Sequence, residues 1–106
     1  MDFNELLLNV KEWFKSLDEM KDAKIFFTEE IYRKEKPFAD VSVLKIEIED
    51  RNQLGVILIN KDNYLHFDYV LKKDKSIRNT NWSERYTDLQ DIKSSILRYI
   101  EKHWEC

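Results

Sequence analysis

His66 and Asp68 are the one pair whose types and spacing could do chemistry. An imidazole beside a carboxylate is the minimum for general acid–base catalysis, and a two-residue step places both on one face of a strand. Two polar residues on the wet side of a half-buried strand have the same spacing, so the pair alone identifies no reaction. His103 lies in a different element from His66. Neither histidine has a Glu or a second His at ligand spacing, whereas a zinc site needs three or four such donors. The one cysteine, Cys106, is the last residue. A terminal thiol is poorly held for nucleophilic work, and a lone thiol makes no internal disulfide, which fits a reducing compartment. No Ser-His-Asp or Cys-His set is legible from spacing. With one glycine and one proline, a Gly-rich phosphate cradle is excluded. The 21 acidic residues are spread through every element. The sequence therefore predicts no catalytic residue, no metal, no cofactor and no enzymatic activity.

The chain has 106 residues, which predicts a single domain over 1–106. A chain of that size buries about two-thirds of its unfolded surface. Hydrophobic residues make up 42% and charged residues 37%, too apolar for disorder and too charged for a membrane protein. No apolar run approaches the ~20 residues that cross a bilayer. The start, Met-Asp-Phe-Asn-Glu, has no basic segment ahead of an apolar one; the expectation is no secretory signal and a cytoplasmic location. The net charge of −3 argues against direct nucleic-acid binding, which needs a concentrated basic patch. The basic runs Arg33, Lys34, Lys36 and Lys72, Lys73, Lys75 enclose Glu35 and Asp74 and read as solvated turns.

The elements that must position these groups are an amphipathic helix, a meander and a second helix. Phe3, Leu6, Leu7, Val10, Trp13, Phe14, Leu17 and Met20 recur at three- and four-residue steps, predicting a helix over 2–20 that Asp2 caps. A charged turn, 18–22, leads to a first strand from Lys24 to Arg33, where Glu29 interrupts the apolar face and suggests a bulge or an edge position. After a connection through Pro37, a second strand covers 38–49. Leu44, Ile46 and Ile48 face one side, and Val41 and Val43 are out of phase. That slip implies a bulge near Val43 or a strand covered on both faces. The third strand, Leu54 to Asn60, is apolar almost throughout, as a central strand is; Gly55 within it predicts a large side chain crossing over or a bulge. Asn60 to Asn63 reads as a tight turn. The fourth strand, 64–72, alternates Leu65, Phe67, Tyr69, Leu71 with Tyr64, His66, Asp68, Val70. Residues 73–86 are ambiguous between a loop and a fifth strand. A capping box, Thr87-x-x-Gln90, opens a last helix with a stripe of Leu89, Ile92, Ile96, Tyr99, Ile100 and His103.

The predicted fold class is α+β: an antiparallel four- to five-stranded meander with N- and C-terminal helices packed on one face, α-β-β-β-β-(β)-α. The other face is then left for solvent or a partner. Glu47 and Glu49 point to it from the second strand, and Tyr64, His66 and Asp68 from the fourth. Carboxylates with a tyrosine suit a basic protein, so these five are the candidate partner-binding residues.

The layout resembles the small immunity proteins of bacterial polymorphic toxin and contact-dependent growth inhibition systems. The parts that carry the likeness are Glu12-Trp13-Phe14 near the end of the first helix, the strands from Lys24 to Leu71, and Thr87-Asp88-Leu89 leading to Ile96-Leu97-Arg98-Tyr99-Ile100. The resemblance implies a cytoplasmic, non-catalytic inhibitor, a monomer or weak homodimer, that neutralises a cognate toxin domain such as a nuclease. An acidic face would then imitate nucleic acid toward a basic toxin. Two other readings stay open: a small acidic secretion chaperone that holds an effector segment, and an enzyme or ligand-binding domain built on His66, Asp68 and nearby tyrosines.

Overall fold

A computed structural model describes residues 2–33, 40–73 and 77–104. The elements are α1 (Phe3–Lys15), a 3₁₀ turn (Asp18–Met20), β1 (Lys24–Arg33), β2 (Asp40–Glu49), β3 (Gln53–Asn60), β4 (Tyr64–Leu71), β5 (Ile77–Arg85) and α2 (Leu89–His103). Among the described residues, the five strands form one antiparallel sheet in the order β1-β2-β3-β4-β5. This is the α+β meander with a helix at each end that the hydrophobic patterning predicts. The segment 34–39, with Pro37, and Asp74, Lys75 and Cys106 lie outside the described residues. No described helix is long and apolar enough to cross a membrane.

Strand register decides which side chains share a face, because directly opposed residues point the same way. Ile25, Ile48, Gly55 and Tyr69 form one cross-strand row; Phe27, Ile46, Ile57 and Phe67 form the next; Glu29, Leu44, Ile59 and Leu65 the third. These rows, with Leu6, Leu7, Val10 and Phe14 of α1 and Ile92, Ile96, Tyr99 and Ile100 of α2, make one continuous core. Both helices therefore lie on the same face of the sheet. Phe14 meets Phe27 edge-on with ring centres 6.3 Å apart, and Lys93 of α2 stands 5.7 Å from the centre of the Trp13 ring on α1.

Gly55 is where α2 comes closest to the sheet. A Cβ placed there would stand 2.6 Å from the Tyr99 hydroxyl and 3.4 Å from the Trp104 ring. The crossing side chain is thus Tyr99, which stacks on Phe67 with centres 5.0 Å apart and donates to the Asp68 carbonyl at 2.6 Å. Lys72 N–H donates to the Asn52 carbonyl at 2.9 Å. By strand alternation, Asp68 therefore also turns its carbonyl toward β3. That oxygen has a second lone pair for the phenol. Burial pushes the Tyr99 hydroxyl well above its ordinary range, with the neighbouring Tyr69 and Asp68 adding to the shift. A second buried polar link closes the same end. Tyr69 donates to Gln53 Oε1 at 2.7 Å, and Gln53 Nε2 donates to Asp50 Oδ2 at 2.8 Å.

Several boundaries differ from the sequence reading. α1 ends at Lys15; Leu17 and Met20 still serve the core, but from the 3₁₀ turn that reverses the chain into β1. Register is continuous on both sides of β2, so no bulge underlies Val41 and Val43. Both are buried on the face opposite Leu44, so that end of the strand is covered on both sides. β1 is an edge strand, which accounts for Glu29: its carboxylate meets Lys11 of α1 at 3.1 Å. Asn63 takes φ of 72°, the left-handed geometry its turn asks for. Residues 77–85 form a full fifth strand. The cap of α2 is shifted by one residue. Asp88 accepts from Asp91 N–H at 2.9 Å, and Asp91 reaches back to Thr87 N–H at 3.0 Å and to its hydroxyl at 2.6 Å. Those bonds from Thr87 hold the Asp91 carboxyl below its ordinary range.

Gly55→Ala is expected to cost about 1–3 kcal/mol in urea denaturation, because the new methyl displaces the Tyr99 ring. Tyr99→Phe, which strips the second donor from the Asp68 carbonyl, should cost a similar amount. The double variant should lose less than the sum, since the collision and the hydroxyl vanish together.

Candidate functional site

The open face is built from the alternate rows. Lys24, Glu49, Leu54 and Val70 lie across one row; Phe26, Glu47, Val56 and Asp68 across the next; Thr28, Lys45, Leu58, His66 and Ser83 across the third. Tyr64 opposes Arg85 at the end. All five candidate residues, Glu47, Glu49, Tyr64, His66 and Asp68, therefore fall on this face. Alternation within β2 and β4 is enough to place them, because neither strand slips relative to β3.

Their chemistry differs from a field of negative charge. Each carboxylate of the set stands against a cation or imidazole. Glu47 meets Lys45 at 3.2 Å, Glu49 meets Lys72 at 2.7 Å, and Asp68 Oδ2 meets His66 Nε2 at 3.5 Å. The Lys72 ammonium, by hydrogen bond and by charge, holds the Glu49 carboxyl below its ordinary range. The guanidinium of Arg85 lies 5.0 Å from the centre of the Tyr64 ring. Glu47 and Asp68 are separated by the intervening Val56, roughly 10 Å at ordinary strand spacing, too far to share a proton. What remains between the pairs is apolar: Leu54, Val56 and Leu58 on β3 with Val70 on β4, all half-buried. The face is a hydrophobic strip rimmed by charge pairs.

At the Tyr64 end the strip dips into a depression of about 460 Å³, lined by Val41, Leu58, Tyr64, His66 and Ser83 among others. His66 is held from both sides there, since its Nδ1 lies 3.0 Å from Ser83 Oγ. Sequence spacing had no means to pair Ser83 with His66; the β4–β5 register brings them opposite. Ser83 and Asp68 thus flank His66, but through the opposite ring nitrogens from those of a catalytic triad, and Asp68 stands at ion-pair distance without a hydrogen bond. All three lie on strands, the Ser83 side chain is exposed and the Asp68 side chain half exposed. Among the described residues no three His, Cys, Asp or Glu side chains gather as a metal site.

A larger cleft, about 660 Å³, opens where the two helices begin, against Phe3, Leu6, Lys61, Tyr86 and Leu89. None of the candidate residues lines it. Both helix starts there are already met by carboxylates of their own, Asp2 and Asp88, which neutralises the positive ends of the helix dipoles. Tyr86 in its wall donates to the Asn60 carbonyl at 2.5 Å, and burial raises its hydroxyl to about 12.

No protein family, no curated protein and no solved structure matches this chain. The functional reading therefore stands on the geometry of the face.

Lys72→Ala is expected to raise the Glu49 pKa back toward its ordinary value of 4.5, read by carboxyl NMR titration. The sign follows from linkage. Glu49 is depressed in the fold, so it favours the folded state above its unfolded pKa, and that contribution fades as pH falls through the folded value. Removing Lys72 should erase this small acid-side dependence and leave the neutral-pH melting temperature little changed.

Proposed function

We propose that the chain is a non-catalytic protein-binding module: an immunity protein that covers a cognate bacterial toxin domain, such as a nuclease, with the open face of its sheet. The observation that supports this reading is the co-location of Glu47, Glu49, Tyr64, His66 and Asp68 around one half-buried apolar strip. Interfaces are organised in that way, with an apolar centre that excludes water and a polar rim that sets orientation. The depression beside Tyr64 and His66 suits an anchoring side chain of the toxin. The rim acts by exchange. Glu47 and Glu49 leave Lys45 and Lys72 for toxin cations, so charge contributes register and on-rate more than affinity. The imitation of nucleic acid expected from composition gives way to this mixed recognition, because the carboxylates are already partly neutralised by their neighbours.

The test is calorimetric titration against the protein encoded by the adjacent reading frame, expressed as its separate C-terminal domain. Val56→Arg with Leu58→Arg, in the centre of the strip, should weaken binding roughly 30-fold or more, about 2 kcal/mol. Glu47→Lys with Glu49→Lys should slow association and flatten its salt dependence. Circular dichroism should show both variants folded. Unchanged affinity in both would remove the face from the interface.

The Ser83–His66 hydrogen bond with Asp68 close by favours one second reading, hydrolysis of an ester or amide at the depression. Turnover of an activated aryl ester that disappears in His66→Ala would establish it. Rates equal to buffer alone would leave these three side chains as a surface polar cluster.

A further inference from the structure

We propose that β1 is a self-pairing edge, through which two copies of this chain join their sheets antiparallel about a two-fold axis at Thr28. Ladder parity supplies the first argument. Lys61 N–H donates to the Ser42 carbonyl at 2.9 Å, and Asp50 N–H to the Gln53 carbonyl at 3.1 Å. Even-numbered residues of β2 therefore bond toward β3, and odd-numbered ones toward β1. In the β1–β2 register, odd residues of β2 oppose even residues of β1. The backbone N–H and C=O groups of Ile25, Phe27, Glu29 and Ile31 consequently point outward, and no described strand receives them.

The two ends of the sheet are not alike. β5 is blunted: Phe67 opposes Trp82 while Tyr69 opposes Arg78, so residues 79–81 stand against Asp68 alone. β1 keeps an unbroken register over all ten of its residues, with neither glycine nor proline. A long regular edge of this kind is a template for another strand. Large exposed apolar side chains also gather there. Ile31 is 68% exposed, Leu8 58% and Phe26 53%, the three highest values among the described large hydrophobics. Leu8 shares the flank of α1 with Lys11 and Lys15, one and two helical steps further along it. Those lysines reach Glu29 and the Phe27 ring of β1.

The occupant is a second copy because the strand is complementary to itself. A two-fold axis normal to the sheet keeps both helix layers on one side and requires an even register sum. Centring on Glu29 would oppose two glutamates. Centring on Thr28 opposes Ile25 to Ile31 of the second copy, twice, and Thr28 to itself as a non-hydrogen-bonded pair, both favourable cross-strand combinations. Phe27 then opposes Glu29 of the second copy. Since Lys15 already lies 5.5 Å from the centre of the Phe27 ring, each Glu29 meets a lysine across the seam. The free amides are satisfied, and Ile31 gains an apolar neighbour. The seam touches the open face only at its β1 border, Phe26 and Thr28, and leaves Glu47, Glu49, Tyr64, His66 and Asp68 outside it, so this pairing is tested independently of toxin binding.

The experiment is light scattering on a size-exclusion column across a concentration series, with a cysteine trap. The wild-type chain should approach about 26 kDa, twice the 13.0 kDa chain, as concentration rises. Ile31→Lys, which sets a charge against Ile25, and Glu29→Pro, which removes an outward N–H that no described strand receives, should both stay at 13.0 kDa with a native circular dichroism spectrum. In a Cys106→Ser background, Thr28→Cys should cross-link on mild oxidation. Phe26→Cys should not, because its symmetry mate is displaced by four residues along the strand. A monomeric mass at every concentration up to millimolar overturns the proposal. A dimer that survives both edge variants, or that cross-links through Phe26→Cys and not Thr28→Cys, overturns it equally.

Discussion

The contact on which the rest of this structure depends is the Tyr99 phenol lying across Gly55. A helix can approach a sheet this closely only where a strand offers no Cβ, and the chain spends its one glycine there. The approach brings the hydroxyl within reach of the Asp68 carbonyl and the ring onto Phe67. It therefore fixes the height of α2 over β3 and β4 together. Trp104 closes the end of the helix against the same glycine. Cation–ring and ring–ring contacts then tie α1 to α2 and to β1. Buried hydroxyls that find partners add specificity, because any other docking would leave them unmet at a cost of about 1–3 kcal/mol each.

One consequence is the division of the sheet into two unlike faces. With both helices on the side of Gly55, the core takes the continuous apolar rows of the sheet. The open face keeps medium-sized residues, Leu54, Val56, Leu58 and Val70, between charged neighbours. Its apolar strip is narrow and half-buried among long side chains. In the proposed interface those side chains swing aside for the partner. The same regular pairing that makes the face flat leaves β1 without a bulge, so the open face and the open edge share one origin in the continuous ladder.

Much of this was legible before any coordinates. Strict alternation in the fourth strand, the unbroken apolar run of the third and the lone glycine within it were each enough to assign a place, and the five candidate residues share a face because side-chain direction in strands has a period of two. The failures have physical causes too. β5, Ile77–Arg85, is mostly polar, and as an edge strand it is specified by backbone pairing with β4 more than by its own pattern. The α2 cap slid from Thr87 to Asp88 because an aspartate at the third helical position can do the work expected of Gln90, a choice made by geometry within one turn. Ser83 could not be associated with His66 without knowing the β4–β5 register. The apparent slip at Val41 and Val43 was a strand buried on both sides at one end, a tertiary effect that imitates a bulge in the sequence.

The charge pairs on the face show how composition can mislead about recognition. A net charge of −3 suggests an acidic protein, yet Glu47, Glu49 and Asp68 each stand beside Lys45, Lys72 or His66, through neighbouring positions on a strand or across the sheet. At these exposed distances each pair contributes little to stability. Each does, however, raise the cost of binding the wrong partner, since a carboxylate that leaves its lysine must find another cation while both stay hydrated. A partner with cations in the right register recovers that cost, and one without them does not. Specificity at such a face then comes from the spacing of its charges more than from their sum. In the proposed interface the apolar strip would supply affinity for any complementary surface, and the rim would decide which surface is accepted.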